Sequence, residues 1–267
     1  MRRMTPDEQK RAELDILIAV DAVCRETGLT YLLSDGTLLG AVRHKGLIPW
    51  DDDIDIAMPR PDYEQFFDVS RLGAIRERYP YCQLISYRDK SAISPFFKVV
   101  DTRSLVIEKY VDSKYRTEVW VDIFPLDGLN DSDQPFVQNR KAMRRYDLLV
   151  ANVNEETSCF ARFAKRAMKP LVSTRKDIYK VAREFDELLA SCQIRENRDV
   201  GEVMWCPKKK NRLPYGYIDP VEMEFEGRRF MASSMYERYL TNLYGDYMQL
   251  PPEKDRVPRP YEAYWLD

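Results

Sequence analysis

The stretch Trp50-Asp-Asp-Asp-Ile-Asp-Ile-Ala-Met58 places four carboxylates within five consecutive positions. Its second half is apolar and partly β-branched, which predicts a short strand over residues 54–58. Side chains alternate between the two faces of a strand, so Asp51, Asp53 and Asp55 are expected to point the same way. Carboxylates at this spacing repel one another unless a cation compensates them. Mg²⁺ is the natural cation because it prefers oxygen ligands and takes one or two protein carboxylates.

A strand, a small-residue turn and a helix are predicted just upstream of the aspartates. Residues 29–34 have the character of a buried strand, Asp35-Gly36-Thr37 forms the turn, and residues 38–43 are helical in character. Such turns bind phosphate because their free N–H groups and the helix N-terminus attract anions. A turn containing Gly is a weak signal alone. Together with the apolar strand, it favours a metal site over the alternative, a solvated acidic loop.

A further carboxylate lies in a later apolar segment. Residues 119–124 read Val-Trp-Val-Asp-Ile-Phe, which is strongly β in character, with Asp122 in the middle. A lone carboxylate in a buried strand is costly unless it is paired or bound to a metal. Asp122 is therefore predicted to be a metal ligand or a general base.

The composition is that of a soluble globular protein. The chain has 267 residues, 44% of them hydrophobic and 32% charged, with a net charge of −2. This length allows one large domain or two small ones around a buried core. A protein that binds nucleic acid is usually basic, so the near-neutral charge argues against such a partner.

The cysteines and the N-terminus indicate where the protein resides. The five cysteines are scattered and show no zinc-binding spacing, which favours free thiols in a reducing compartment. The N-terminus lacks the apolar region of a secretory signal, and no run approaches the ~18 apolar residues of a membrane span. The sequence therefore predicts a cytoplasmic protein.

The remaining elements follow from local patterns. A capping box at Thr5-Pro-Asp-Glu8 opens a helix that should end at Gly28. Further helices are predicted at 61–72, 133–150, 158–170, 174–192 and 235–244. Strands are predicted at 81–86, 96–100 and 105–108, with a hairpin at 222–232 and an irregular wrap at 251–260.

One predicted helix is basic and amphipathic. Residues 158–183 contain eight Lys or Arg and a single acidic residue, and apolar side chains follow a helical stripe from Phe160 to Leu171. Such a helix can lie on the inner face of an anionic membrane or receive an anionic polymer. The alternative is a helix that packs its apolar face on the core and exposes its basic face to solvent.

Two adjoining blocks, residues 33–43 and 44–56, strongly resemble the signature of the LicD family, phosphotransferases related to the fukutins within a nucleotidyltransferase-like superfamily. The blocks read Leu33-Ser-Asp-Gly-Thr-Leu-Leu-Gly-Ala-Val-Arg43 and His44-Lys-Gly-Leu-Ile-Pro-Trp-Asp-Asp-Asp-Ile-Asp-Ile56. Similar segments follow at 97–101, 121–127, 225–227 and 244–256. The resemblance covers most of residues 29–256, except about 131–210.

The resemblance implies an α/β (α+β) fold. We expect a nucleotidyltransferase-like core with a mixed β-sheet flanked by helices over residues 1–130. Residues 131–267 are expected to form a mainly helical portion on the acceptor side, with its C-terminal motif packed on the core as one structural unit.

The resemblance also implies an enzyme. The expected reaction is Mg²⁺-dependent transfer of a phospho-alcohol, typically phosphocholine from CDP-choline, to a sugar hydroxyl of a glycan or lipid-linked glycan. Mn²⁺ is expected to substitute. The acceptor would be a cell-surface precursor of teichoic acid, lipopolysaccharide or capsule, and choline, ethanolamine, glycerol and ribitol donors stay open.

The resemblance assigns roles to individual residues. Gly36 and Thr37 match the turn that holds nucleotide phosphates. Asp53 and Asp55 match the metal-binding pair, Asp51 completes the pattern, and Asp122 matches the third carboxylate. Many relatives carry a histidine near the C-terminus, which this tail lacks.

Charged and aromatic residues near the motif supply further candidates. Arg43, Lys45 and Lys98 are candidates for phosphate contacts. His44 is the only histidine and is expected to support the site more than to act as a base. A choline headgroup requires an aromatic cage, for which Trp50, Trp120 and Trp205 are available.

Two other functions stay open at this stage. A nucleotidyltransferase would use the same aspartates to move NMP from an NTP and would release pyrophosphate in place of CMP. A non-catalytic scaffold would bind a surface through the basic helix, but the intact set of aspartates argues against it.

Overall fold

A computed structural model describes the whole chain except residues 113, 131–133, 156–162, 170–176, 191, 197, 203–210, 258–260 and 267. The helices in this part of the chain are α1 (Pro6–Thr27), α2 (Asp35–His44), α3 (Arg60–Arg71), α4 (Ala74–Arg78), α5 (Gln134–Val150), α6 (Ile178–Leu189) and α7 (Tyr236–Tyr244). The strands are β1 (Arg2–Arg3), β2 (Leu32–Leu33), β3 (Ile54–Pro59), β4 (Cys82–Ile85), β5 (Phe97–Glu108), β6 (Thr117–Gly128), β7 (Val200–Gly201), β8 (Pro220–Phe225), β9 (Arg228–Ser233) and β10 (Tyr261–Trp265).

A mixed sheet forms the centre of the fold. Its strands follow the order β1-β10-β5-β6-β3-β2, while β4 pairs with β5 and β7 pairs with β6. Strands β3 and β6 are parallel, and the other pairs in the sheet are antiparallel. Helices flank the sheet, and β8 and β9 form a separate hairpin. The predicted α/β fold with a mixed sheet is confirmed.

Helix α1 begins and ends as its sequence predicts. The Thr5 side chain accepts from the Glu8 N–H, the Glu8 side chain accepts from the Thr5 N–H, and Gly28 ends the helix with a φ of 70°. A positive φ suits glycine, which has no Cβ to clash. One face of the helix, including Ile16 and Leu17, is fully buried, so α1 covers one face of the sheet.

Strand β5 is continuous where two strands were predicted. Residues 97–100 and 105–108 belong to one strand, Phe96 precedes it, and the register with β6 shifts between Asp101 and Val106. Ser104 bridges the irregularity, because its Oγ donates to the Asp101 carbonyl and accepts from the Val119 N–H. The polar residues that suggested a break therefore form a bulge.

The C-terminal tail joins the central sheet. An irregular wrap was predicted up to residue 260, and the described part, residues 251–257, contains only a short 3₁₀ turn. Beyond it, β10 pairs with β5 and β1 pairs with β10. Neither strand was predicted, because segments this short become strands through their partners.

The predicted basic helix lies partly outside the described residues. Residues 163–169 are helical, but Phe163 and Met168 are 75% and 53% exposed, so they do not face a core. Lys169 instead contacts the Asp112 carboxylate at 2.8 Å. Contact with an anionic membrane and the cytoplasmic location stay predictions. Among the described helices, none has the length and apolarity needed to cross a bilayer.

A buried ion-pair network joins α6 to the sheet. Arg60 donates to Asp127 at 2.7 and 2.8 Å and to Asp186 at 2.7 Å. The second Asp186 oxygen accepts from Tyr87 at 2.6 Å and from Arg88 at 3.0 Å. Because Asp127 and Asp186 are almost fully buried, each depends on these partners to offset the loss of water.

Asp186→Asn should therefore destabilise the protein strongly. We expect the free energy of unfolding to fall by about 3 kcal/mol, since the substitution removes a buried negative charge that Arg60 and Arg88 share, although Arg60 keeps Asp127 and Arg88 keeps Glu64. Urea unfolding measures this difference. The control is Glu187→Gln, an exposed carboxylate on the same helix, which should change stability by less than about 0.5 kcal/mol. Equal effects of the two substitutions would contradict the role of the network.

Candidate active site

Strand pairing brings three charged residues into one row across the sheet. Asp55 on β3 lies opposite Asp122 on β6, and Asp122 lies opposite Lys98 on β5. The Lys98 Nζ is 2.8 Å from Asp122 Oδ1. The lone carboxylate predicted in the apolar strand is therefore paired with an ammonium group, and a second carboxylate lies on its other side.

Asp53 completes a group of three carboxylates. Asp53, Asp55 and Asp122 each offer one oxygen atom within 4.8 Å of the others, and Asp51, Asp52 and Asp53 form a second such group. Strand β3 begins only at Ile54, so the expectation that Asp51 and Asp53 share a strand face is wrong. The loop before the strand nevertheless directs Asp53 toward Asp55.

The electrostatics of this group suit a divalent cation. Burial raises the pKa of Asp55 well above its usual value, and the negative charges of Asp53, Asp35, Asp122 and Asp51 raise it further. Burial also raises the pKa of Asp122, although Lys98 opposes the shift. A cation among these oxygens would remove the repulsion, and an all-oxygen donor set is the type that Mg²⁺ prefers. The residues present therefore fit the predicted ion.

The carboxylates open into a cavity of about 490 Å³, called here the inner cavity. This volume falls within the range of small-ligand sites. Its walls include Lys98 and Trp120 from the sheet and Tyr146 and Asp147 from α5. The helical second half of the chain therefore forms one wall of the site.

A second, more open cavity of about 720 Å³ adjoins the first and is called the outer cavity. Gly36, Asp51 and Tyr244 line both cavities. The outer cavity also contains Arg43 and Arg256.

The predicted phosphate-binding turn forms the first turn of α2. A Cβ at Gly36 would collide with the Asp51 carboxylate, so a larger residue here would force the Asp51 side chain to move. Thr37 is buried, and its Oγ1 accepts from the Asp55 N–H at 2.8 Å. Gly36 therefore faces the site, while Thr37 holds β3 in place. Their phosphate-binding roles stay predictions.

The predicted cations occupy different places. Lys98 lies in the inner cavity, and Arg43 lies in the outer cavity, where it donates to the Tyr247 carbonyl at 3.0 Å. Lys45 ends α2 with a φ of 61°, and its carbonyl accepts from Glu226 N–H. The backbone of Lys45 thus anchors the β8–β9 hairpin.

The tryptophans predicted as contacts for a choline headgroup also lie in different places. Trp50 lines the outer cavity with the Arg256 guanidinium 5.4 Å above its ring, and Trp120 lines the inner cavity. Trp205 lies outside the described residues. His44 packs edge-on against Trp50 and lines neither cavity, while burial and the charge of Arg43 lower its pKa. A neutral supporting role agrees with this position.

Several lining residues were not predicted. Glu108, Tyr115, Tyr146 and Asp147 line the inner cavity, and no local pattern distinguishes them from ordinary strand, loop and helix residues. Tyr244 is different, because it begins the last segment that resembles the LicD pattern.

Glu13 on α1 lies behind the aspartate loop. Gln9 Nε2 donates to Glu13 Oε1 at 2.8 Å and to the Asp52 carbonyl at 3.3 Å. Glu13 is 2% exposed, and burial raises its pKa well above the usual value, with further repulsion from Asp53 and Asp52. This part of α1 therefore supports the loop with a carboxyl group that resists ionisation.

Known proteins share sequence similarity with this chain. Residues 28–173 match the family described as LicD/FKTN/FKRP, nucleotidyltransferase domain. Over the full length of both chains, the sequence is 31% identical to the lipopolysaccharide cholinephosphotransferase LicD of Haemophilus influenzae. It is 29% identical to the ribitol 5-phosphate transferase FKRP of Mus musculus over 46% of this chain and 22% of the relative. It is 41% identical to the ribitol 5-phosphate transferase FKRP of Homo sapiens over 42% of this chain and 18% of the relative.

Glu13→Gln should stabilise the metal-free protein at alkaline pH. The folded state holds the Glu13 proton more tightly than the unfolded state, so the stability of the unsubstituted protein falls as pH rises above about 4.5 through the raised pKa. The Gln side chain does not ionise, so the variant does not lose stability in this way as pH rises. In EDTA at pH 8 we expect it to be more stable by about 1 kcal/mol or more, with a smaller difference at pH 5. Urea unfolding at both values tests this, and an identical pH dependence would contradict it.

Proposed function

The chain belongs to the LicD family of phosphotransferases, and we propose that it transfers phosphocholine from CDP-choline to a sugar hydroxyl of a cell-surface glycan precursor, releasing CMP. The observation that carries the proposal is the row of Asp55, Asp122 and Lys98, with Asp53 beside it, at one cavity. Full-length similarity to a cholinephosphotransferase supports the choline donor. The acceptor class we propose is a precursor of lipopolysaccharide, teichoic acid or capsule.

The proposed reaction moves one phosphoryl group. The acceptor hydroxyl oxygen attacks the phosphorus that bears choline, and the bond from this phosphorus to the bridging oxygen breaks. CMP leaves with the bonding electron pair, and the hydroxyl proton passes to a base. Such reactions depend on positioning and on charge stabilisation more than on covalent help from the protein.

Asp53, Asp55 and Asp122 would hold Mg²⁺, with Asp51 beside them. The bound ion would neutralise charge on the donor pyrophosphate and on the leaving CMP. Mn²⁺, which also accepts oxygen ligands, is proposed to substitute for it. The fit rests on the crowded oxygen atoms and on the repulsion that raises the pKa of Asp55.

The protein's own side chains would orient the reactants. Lys98 contacts Asp122 Oδ1 at 2.8 Å and lies 4.1 Å from the centre of the Trp120 ring. These contacts hold its ammonium group beside the carboxylates, where it would contact the donor phosphates. Asp122 is the candidate base only in the alternative arrangement in which Asp53 and Asp55 hold the ion without it, because a carboxylate bound to a metal ion is a poor proton acceptor.

Asp53→Asn should abolish the metal-dependent step. We expect CDP-choline to stabilise the unsubstituted protein only when Mg²⁺ is present, by about 2.7 kcal/mol at a hundred times Kd. The variant should lose this stabilisation, and CMP release with a glycan-precursor fraction should fall by about a hundredfold or more. Thermal shift and chromatography of the nucleotide products measure the two effects.

The matched control is Asp68→Asn, an exposed carboxylate on α3, which should behave like the unsubstituted protein. Release of pyrophosphate from an NTP, without CMP from any CDP-alcohol, would replace the proposal with nucleotidyl transfer. Full CMP release by Asp53→Asn would contradict the role of Asp53, and absence of both CMP and pyrophosphate release from the unsubstituted protein would support the scaffold function.

A further inference from the structure

The two cavities that meet at the aspartates differ in charge. Seven carboxyl groups and two cations line the inner cavity, so the acidic groups outnumber the positive charges even when a divalent ion is added. The carboxylates are Asp35, Asp51, Asp53, Asp55, Glu108, Asp122 and Asp147, and the cations are Lys98 and Arg116. In the outer cavity, Asp51 and Asp246 are balanced by Arg43 and Arg256. A cationic group is therefore attracted to the inner cavity.

Tyrosines and carboxylates share the inner-cavity wall formed by α5 and by the region between β5 and β6. Glu108, Tyr115, Tyr146 and Asp147 line this wall, which is called here the far wall. Tyr146 is 6% exposed and belongs to an apolar cluster that Tyr115 packs against. The charges of Glu108, Asp147 and Asp122 all act on the Tyr146 hydroxyl. Aromatic rings and negative charges thus occur together.

Rings in this cavity already bind ammonium groups from the protein. Lys98 Nζ lies 4.1 Å from the centre of the Trp120 ring and 5.5 Å from that of Phe96. Lys114 Nζ lies 4.7 Å from the centre of the Tyr115 ring. Ring faces at this cavity therefore already take part in cation–π contacts in the folded protein.

We infer that the far wall, formed by Glu108, Tyr115, Tyr146 and Asp147, is a subsite for the quaternary ammonium group of the donor, and that it selects a cationic alcohol over a neutral polyol. The inference rests on the proposed function, because it places the alcohol of a CDP-alcohol donor. It leaves the outer cavity, with its arginines, for the anionic nucleotide.

The chemistry of the alcohol explains why this wall would discriminate. A trimethylammonium group has no N–H to donate, so it is bound by ring faces and by nearby carboxylates. Glycerol and ribitol carry no charge and gain nothing from the negative potential. Placing choline beside Arg43 and Arg256 would instead bring like charges together.

The test is the affinity of the full chain, with Mg²⁺, for CDP-choline, CDP-glycerol and CDP. Glu108→Gln and Asp147→Asn should each weaken CDP-choline binding by about tenfold, the effect of one partly screened charge, and leave CDP-glycerol and CDP unchanged. Tyr115→Leu should have a similar effect, while Tyr115→Phe, which keeps the ring, should not. Glu184→Gln, an exposed carboxylate on α6, is the control.

A second measurement needs no substitution. Tetramethylammonium chloride should weaken binding of CDP-choline but not of CDP, compared with sodium chloride at the same ionic strength. Equal affinity for CDP-choline and CDP-glycerol, or variants that weaken all three ligands alike, would overturn the subsite and leave the proposed function intact. Absence of any Mg²⁺-dependent binding of CDP or CDP-choline would overturn both.

Discussion

The parallel pairing of β3 with β6 is the constraint on which the rest of the site depends. Its register sets Asp55 beside Asp122, and antiparallel β5 adds Lys98 to the same row. One ammonium group cannot neutralise the carboxylates that converge here, so the fold concentrates negative charge at one point. This arrangement costs stability unless a cation binds. The sheet therefore brings together the oxygen atoms that we propose hold a metal ion.

Stability and the shape of the site depend on each other in this protein. The buried network of Arg60, Asp127, Asp186 and Arg88 attaches α6 to the core. Helix α5 packs against α6 and supplies Tyr146 and Asp147 to the inner cavity. The ion pairs of α6 therefore help to position the cavity wall, because a close-packed interior transmits strain.

Much of the fold could be predicted from local sequence. The capping box at Thr5 and the terminal Gly28 bounded α1, the β8–β9 hairpin formed where it was predicted, and β3 and β6 lay where apolar runs indicated. Local patterns did not reveal β1 and β10, and they divided β5 in two. Short strands form only when a partner supplies hydrogen bonds, and the partners of β10 are more than a hundred residues away in sequence.

The sequence by itself determined the chemistry of the protein: which carboxylates crowd together, that Asp122 needs a partner, and which family the motifs resemble. Only the tertiary structure decided how these residues combine. It assigned Lys98 to Asp122, turned the Thr37 hydroxyl toward the backbone of β3, and placed α5 across from the aspartates. Local propensity and spacing act over a few residues, whereas register and packing depend on contacts between distant segments. The set of residues that lines the cavity depends on such contacts between distant segments.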